Sequence, residues 1–235
     1  MLEAVRSGRA REVLVASGAR RTPGLREVLD ACARAGVEPR EVSGRELDAL
    51  APDHRGVAAR VEAPEPLGER ELSSWPFGPE DVVVVLDGIE DPQNLGAAAR
   101  SAEAAGATML VTRTRRSADV TAAAIRASAG ALLHLPHARV ANLPRALDRL
   151  HEAGFTVVGL DERAPTGVLE AAAPPGRVAV IVGSEGTGLS RLVRERCDLL
   201  VWLPMRGRVG SLNASAALAA VLYAYILPSR PERRA

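Results

Sequence analysis

Leu203-Pro-Met-Arg-Gly-Arg-Val-Gly-Ser-Leu-Asn-Ala-Ser215, running on into the apolar segment 216–227, reads as a strand end, a glycine-bearing loop and a helix. Pro204 cannot donate to a sheet ladder, so the preceding strand stops there. Gly207 and Gly210 permit backbone angles that other residues avoid. Ser211, Asn213 and Ser215 are cap-type residues, expected beside the free amides of a first helical turn. From Ala216 to Leu227 only Tyr223 and Tyr225 carry a polar side-chain atom. A helix apolar almost all round packs into a core or a subunit interface, and this one is short for a membrane span. On spacing alone, a capped core helix explains the stretch as well as a functional site does.

Two other stretches have the same strand–turn–helix character. Asp87-Gly-Ile-Glu-Asp-Pro-Gln-Asn-Leu-Gly-Ala-Ala-Ala-Arg-Ser101 follows the apolar run Val82–Leu86 and opens a helix near Asn94–Ala105. Val182-Gly-Ser-Glu-Gly-Thr-Gly-Leu-Ser190 follows a second apolar run and turns on Gly183, Gly186 and Gly188. Such a turn exposes backbone groups to a ligand. It is not a P-loop, because the Gly-Lys-Ser/Thr ending is missing, and its glycine spacing is not G-x-G-x-x-G. A tight strand-to-helix connection is its plain alternative.

From Asp81 onward strands and helices alternate, which predicts an α/β fold with a parallel sheet covered on both faces. The expected strands are 82–86, 108–112, 134–140, 155–160, 177–182 and 199–203. The expected helices are 94–105, one from a cap at Asp119 or Thr121 to about 129, 142–153, 189–196 and the last segment. Arg113, Arg115 and Arg116 sit at a strand's carboxyl end, where open α/β sheets bind ligands. RNA backbone contact and a solvated loop explain that cluster equally well.

Residues 1–63 read as a separate small α/β domain: a strand at Glu12–Ala16, a helix at Gly24–Ala35 ended by Gly36, and an edge strand near Val37–Val42. Ser43 and Glu46 form a capping-box pattern over the short helix Gly44–Leu50. A last strand is expected at Gly56–Glu62. Residues 64–80 hold Pro64, Pro66, Pro76 and Pro79 among polar residues, a semi-extended linker by composition, pinned by Trp75 and Phe77. The second domain is then 81–235.

Charge and cysteine usage exclude several classes. Net charge is +1, so no global basic field announces nucleic acid, and any RNA contact must be local. All 30 basic residues are arginine. A catalytic lysine, a Schiff base and a P-loop lysine are therefore ruled out. Cys32 and Cys197 are far apart and outside any C-x-x-C pair, so neither structural zinc nor a disulfide framework is expected. The amino-terminal residues have no apolar signal core, and no apolar run reaches 18 residues, which points to a cytoplasmic protein off the membrane.

Taken in order, the stretches at 87–101, 182–190 and 203–215 resemble the three motifs of the SpoU/TrmH branch of the SPOUT RNA 2′-O-ribose methyltransferases. They are most similar to the subgroup that methylates a guanosine ribose in bacterial large-subunit ribosomal RNA. The resemblance runs from about residue 12 to 226. It implies a carboxyl-terminal trefoil knot, a small ribosomal-protein-like RNA-binding domain before it, S-adenosylmethionine as cofactor, no metal, and a homodimer joined through the knotted domain. It places Gly183, Gly186, Leu203, Met205 and Leu212 at the cofactor. It places Asn94, Arg100, Glu185, Ser211 and Asn213 at the reaction. His54-Arg55-Gly56-Val57 resembles the family's H-Q-G segment with arginine for glutamine, which makes Arg55 an RNA contact; a solvated loop is the alternative. Ala214 stands where the family usually has valine. The chain begins late compared with the family, which implies either that a short leading strand is absent or that the true start lies upstream.

The residues temper some of these roles. Asn94 is as well explained as a helix cap, and Arg100 as a surface partner of Glu103. Arginine is a poor base at neutral pH. Arg100 therefore fits a phosphate clamp that also stabilises developing alkoxide charge. Within the class, a transfer-RNA ribose methyltransferase and a resistance methyltransferase acting on ribosomal RNA are the rivals. Outside it stands a non-catalytic RNA-binding protein on the same fold.

Overall fold

The computed structural model describes residues 1–51, 54–208 and 210–229. A single helical turn, Leu2–Arg6 (α1), precedes strand Ala10–Ala16 (β1) and helix Pro23–Ala35 (α2). Thr22 caps α2 by accepting the Leu25 amide at 3.2 Å, and Pro23 fills the first turn, where a missing amide costs nothing. Strand Arg40–Val42 (β2), helix Gly44–Leu50 (α3) and strand Val57–Val61 (β3) complete this unit. β2 pairs parallel to β1, and β3 pairs antiparallel on its other side. Leu14, Val42, Leu47 and Ala58 form its core under α3. Ser43 caps α3 as its type predicts, but the Glu46 carboxylate pairs with Arg40 at 3.1 Å, so the box is half made.

The chain divides into two compact units, Met1–Pro64 and Glu65–Ala235. The stretch expected to run semi-extended as a linker instead carries helix Glu69–Ser74 (α4) and belongs to the larger unit. Its composition hid one local signal: the Gly68 amide donates to the Glu71 carboxylate at 2.9 Å, which closes a first turn. Leu67 also bridges Ala138. Trp75 and Phe77 pack on the core, with the Phe77 ring edge-on to Phe155 at 4.8 Å. Arg177 holds the segment down through the carbonyls of Phe77 and Gly78 at 2.6 and 2.8 Å.

The larger unit continues with strand Val82–Asp87 (β4), helix Pro92–Ala104 (α5), strand Met109–Arg113 (β5), helix Ala122–Ala127 (α6) and strand His137–Val140 (β6). Helix Leu143–Glu152 (α7), strand Thr156–Leu160 (β7), the short strand Thr166–Gly167 (β8) and strand Val178–Gly183 (β9) follow. The turn Arg191–Arg194 (α8), strand Leu199–Trp202 (β10) and helix Ala214–Val221 (α9) end it, before one π turn at Leu222–Ile226. The sheet order is β6-β5-β4-β9-β7-β10-β8, with every pairing parallel.

Alternate residues of a strand face opposite sides. Val82, Val84 and Leu86 of β4 pack with Leu95 of α5 and Leu218 of α9. Val83 and Val85 pack with Leu143, Leu147 and Leu150 of α7. With both faces covered, β4 and β9 are buried throughout, which is why they read as continuous apolar runs. α9 and the π turn bury Ala214, Leu218, Val221, Leu222, Tyr225 and Ile226. Their other side is exposed, so the last segment is core on one face only. Among the described residues, no helix is long and apolar enough to cross a membrane.

His137 on the edge strand β6 is buried, with Nε2 at 2.8 Å from the Thr112 hydroxyl. Burial, helped by the Arg139 charge, lowers its pKa to about 4. The unfolded chain takes up a proton there below about 6.5, while the fold does not. Stability is therefore complete above pH 6.5 and falls as pH drops towards 4, by about 3 kcal/mol at most. Urea unfolding of the parent and of His137→Gln across this range checks the prediction: the variant should lose most of that slope.

Candidate active site

The carboxyl ends of β7, β9 and β10 surround one cavity of about 410 Å³. Leu160–Arg163 forms one wall, Gly183–Leu189 the second, and Leu203, Met205 and Gly210–Asn213 the third. Ligands of open parallel sheets sit at this end, because the loops there diverge to neighbouring strands. Gly183 lets the second wall fold back on itself. A Cβ at 183 would lie 2.1 Å from the Gly188 carbonyl carbon and 2.2 Å from its oxygen. No side chain fits, and the fold-back closes with the Gly188 amide on the Ser184 carbonyl at 2.9 Å.

Asn94, Glu185 and Asn213 meet at the cavity rim. Asn213 Nδ2 donates to Glu185 Oε1 and to Asn94 Oδ1, each at 2.7 Å. Asn94 Nδ2 donates to the same Glu185 oxygen at 3.0 Å. Three residues separated by 91 and 28 positions thus close a ring of hydrogen bonds. Glu185 Oε2 has no partner among the described residues and is left to accept a hydrogen from a ligand. Asn94 is free for this because it is not the cap of α5; Asp91 is, accepting the Gln93 amide at 3.0 Å. Asn213 does cap α9, and its cap fixes the amide's direction. Its Oδ1 accepts the Ser215 amide at 2.9 Å, the Ser215 hydroxyl at 2.6 Å and the Ala216 amide at 3.4 Å. With the oxygen so occupied, Nδ2 must face the ring.

The other expected site residues are distributed as follows. Gly183, Gly186, Leu203, Met205 and Leu212 all line the cavity. Ser211 lines it too, but lies outside the hydrogen-bonded ring. Arg100 is exposed on α5, outside the ring, and makes no ion pair with Glu103. Arg113 is not a free phosphate ligand. Its guanidinium pairs with the buried Asp87 and donates to the Ser190 hydroxyl at 3.0 Å, while the Ser190 amide donates to Asp87 at 2.7 Å. This link ties β4, β5 and the end of the glycine-rich turn together. Arg115 and Arg116 remain exposed, and Arg116 has a left-handed φ of 54°. Arg55 is exposed in the small unit.

Sequence reading missed the wall at Leu160–Arg163 and the pair that braces it, Asp161 with Arg194 at 3.1 Å. The available signal was a polar run directly after an apolar strand, the same signal that marked Arg113. Burial pushes the Cys197 thiol up to about 12, so it is no nucleophile at neutral pH.

Residues 81–223 match the SpoU rRNA Methylase family, and residues 1–67 match the RNA 2′-O ribose methyltransferase substrate binding family. This chain belongs to the SpoU rRNA methylase family. A 23S rRNA (guanosine-2′-O-)-methyltransferase RlmB of Xanthomonas campestris is 40% identical over 91% of this chain and 86% of that protein. The SpoU methyltransferase AviRb from Streptomyces viridochromogenes, solved in complex with AdoMet, is 29% identical with a TM-score of 0.76, over 95% of this chain and 85% of that one. A solved RNA 2′-O ribose methyltransferase is 30% identical with a TM-score of 0.79, over 97% of this chain and 84% of that one.

The SpoU cofactor, S-adenosylmethionine, suits the cavity in this chain. Leu160 on one wall and Leu203 and Leu212 on another offer apolar surface, and the 183–188 turn offers backbone groups that no side chain at 183 can block. Ser215 stands behind that site and acts through Asn213. Removing its hydroxyl frees one lone-pair direction on Asn213 Oδ1 and loosens the ring. Ser215→Ala should lower kcat about tenfold, the worth of roughly one hydrogen bond. Cofactor affinity and melting temperature should stay near those of the parent, and Ser215→Thr should restore the rate.

Proposed function

We propose that this chain methylates the 2′-hydroxyl of a guanosine in large-subunit ribosomal RNA. The observation that carries the reading is the Asn94–Glu185–Asn213 ring at the rim of the cavity. S-adenosylmethionine supplies an electrophilic methyl group whose leaving group is a neutral thioether. What the protein must add is position and a destination for the hydroxyl proton, and positioning alone can be worth roughly 7–11 kcal/mol at the favourable limit. Glu185 is the acceptor. Its Oε1 is held by two amide groups, which leaves Oε2 to take the hydroxyl hydrogen. Ser211 orients the ligand from the third wall. Arg100, without an ion-pair partner among the described residues and always cationic, stabilises charge on the ribose oxygen or an adjoining phosphate. Arg115, Arg116 and Arg55 contact the RNA backbone. Residues 1–63 hold the substrate and 81–235 do the chemistry.

The family reading also threads the carboxyl-terminal segment as a knot. β9 inserting between β4 and β7, with α9 packed back on α5, supports that path. It makes the chain a homodimer in the cytoplasm, joined through the last helix. Exposed Ala216, Tyr223 and Ala224 give that helix an uncovered apolar side, with Tyr223 52% exposed. Light scattering should show a dimer for the parent and a folded monomer for Tyr223→Glu; a monomeric parent would remove this part of the reading.

The central test incubates the protein with methyl-labelled S-adenosylmethionine and unmodified large-subunit ribosomal RNA or bulk transfer RNA. Label is expected as 2′-O-methylguanosine in the ribosomal RNA only. Glu185→Gln should lose roughly a hundredfold or more in rate and still bind the cofactor. Label in transfer RNA, or in another nucleoside, overturns the substrate; an unimpaired Glu185→Gln overturns the acceptor role.

A further inference from the structure

We propose that one end of the small unit is a clamp for the RNA sugar–phosphate backbone, built from Arg20, Arg21 and Arg55. The inference rests on RNA being the substrate and says which surface grips it and what it reads. The loop after β1 and the loop before β3 lie side by side. The Ala16 amide donates to the Gly56 carbonyl at 2.9 Å, and a Cβ at Gly56 would stand 3.5 Å from that of Ala19. Arg20 and Arg21 follow Ala19, and Arg55 precedes Gly56, so the three are neighbours on one exposed end. Arg26 joins them from the first turns of α2, its guanidinium reaching the Arg21 carbonyl at 3.4 Å.

Carboxylates occupy several of the unit's other arginines, though among the described residues not Arg34 or Arg45, which stand in α2 and α3 outside this cluster. Arg6 pairs with Glu3 and Glu27, Arg11 with Glu62, and Arg40 with Glu12 and Glu46. Arg20, Arg21 and Arg55 have no carboxylate partner among the described residues. Three guanidinium forks with no carboxylate partner among the described residues suit phosphate oxygens, which they can bind two at a time. In a chain of 30 basic and 29 acidic residues, such a cluster is a local field and not a spill-over of net charge.

Arg55 is also held there by the backbone. Its φ is 49°, a left-handed conformation that costs a non-glycine residue, and Gly56 continues it at 87°. Such a conformation persists only where its surroundings impose it. His54 does so: its Nδ1 accepts the Gly56 amide at 2.8 Å, which leaves Nε2 to donate to Asp48 at 3.1 Å. Residues 1–63 contain no Phe, Trp or Tyr, and the His54 ring is largely buried between Asp48 and Gly56, which leaves no open aromatic platform for stacking bases. The clamp therefore reads backbone position and not base identity.

The test measures binding of the full chain to a large-subunit ribosomal RNA fragment by anisotropy over a salt series. The variants are Arg20→Ala/Arg21→Ala/Arg55→Ala and, as a charge-matched control, Arg34→Ala/Arg45→Ala/Arg60→Ala, three exposed arginines outside the cluster. The triple variant should weaken binding roughly tenfold or more at about 0.1 M salt, with a log–log salt slope shallower by about 2, near 0.7–0.9 per phosphate contact. The control should stay within about twofold on the same electrostatic argument. Melting temperature and S-adenosylmethionine affinity should be unchanged in both. A triple variant with the parent's affinity, an unaltered slope, or an equally weakened control overturns the clamp while leaving the substrate intact. A parent that binds no ribosomal RNA overturns the substrate, and the clamp with it.

Discussion

The amide group of Asn213 is the interaction on which the site depends. Its two hydrogens reach Glu185 and Asn94, residues 28 and 119 positions away, and so draw three loops to one point. That is possible because β4 and β9 lie side by side and parallel, which brings the starts of α5 and of the glycine-rich turn to the same end of the sheet. The third partner arrives on α9, packed across α5 on the same face. Displace any one of these elements and the ring opens, even if every side chain is kept.

The supports behind the ring are also polar and partly buried. Asp87 ends β4 almost without solvent, and its charge is met by Arg113 and by the Ser190 amide. Removing one member of such a group leaves an uncompensated buried charge, generally a loss of about 3–5 kcal/mol. The arrangement does not make the sheet stronger than an apolar one would be. It registers β5 and the end of the 183–190 turn against β4, and so sets the wall of the cavity. Gly96 plays a comparable part for α5: a Cβ there would lie 2.5 Å from the Ala124 carbonyl, so α6 closes on the helix at that position.

Much of the fold was legible. Val82–Leu86 and the run before Gly183 announced buried parallel strands, and Thr22, Ser43, Thr121, Asn142 and Asn213 cap their helices as residues of their type should. Errors fell where local chemistry was weak or ambiguous. The short helices Leu2–Arg6 and Glu69–Ser74 give periodicity too little length to show. Proline density in 64–80 masked the Gly68–Glu71 turn. Asn94 read equally well as the cap of its helix, and only the fold gave that place to Asp91 and turned Asn94 to the site.

What the sequence determined by itself is the alternation of elements, the three motif stretches, and the absence of lysine chemistry, because these depend on local pattern and residue type. What only the tertiary structure decided is which polar side chains meet. Arg113 and Arg100 look equivalent in sequence, yet one is spent on a buried carboxylate and the other faces solvent. Arg20 and Arg55 are distant in sequence and neighbours in space. Hydrogen bonds and ion pairs form within a few ångströms, and the sheet order, not the chain order, sets those distances.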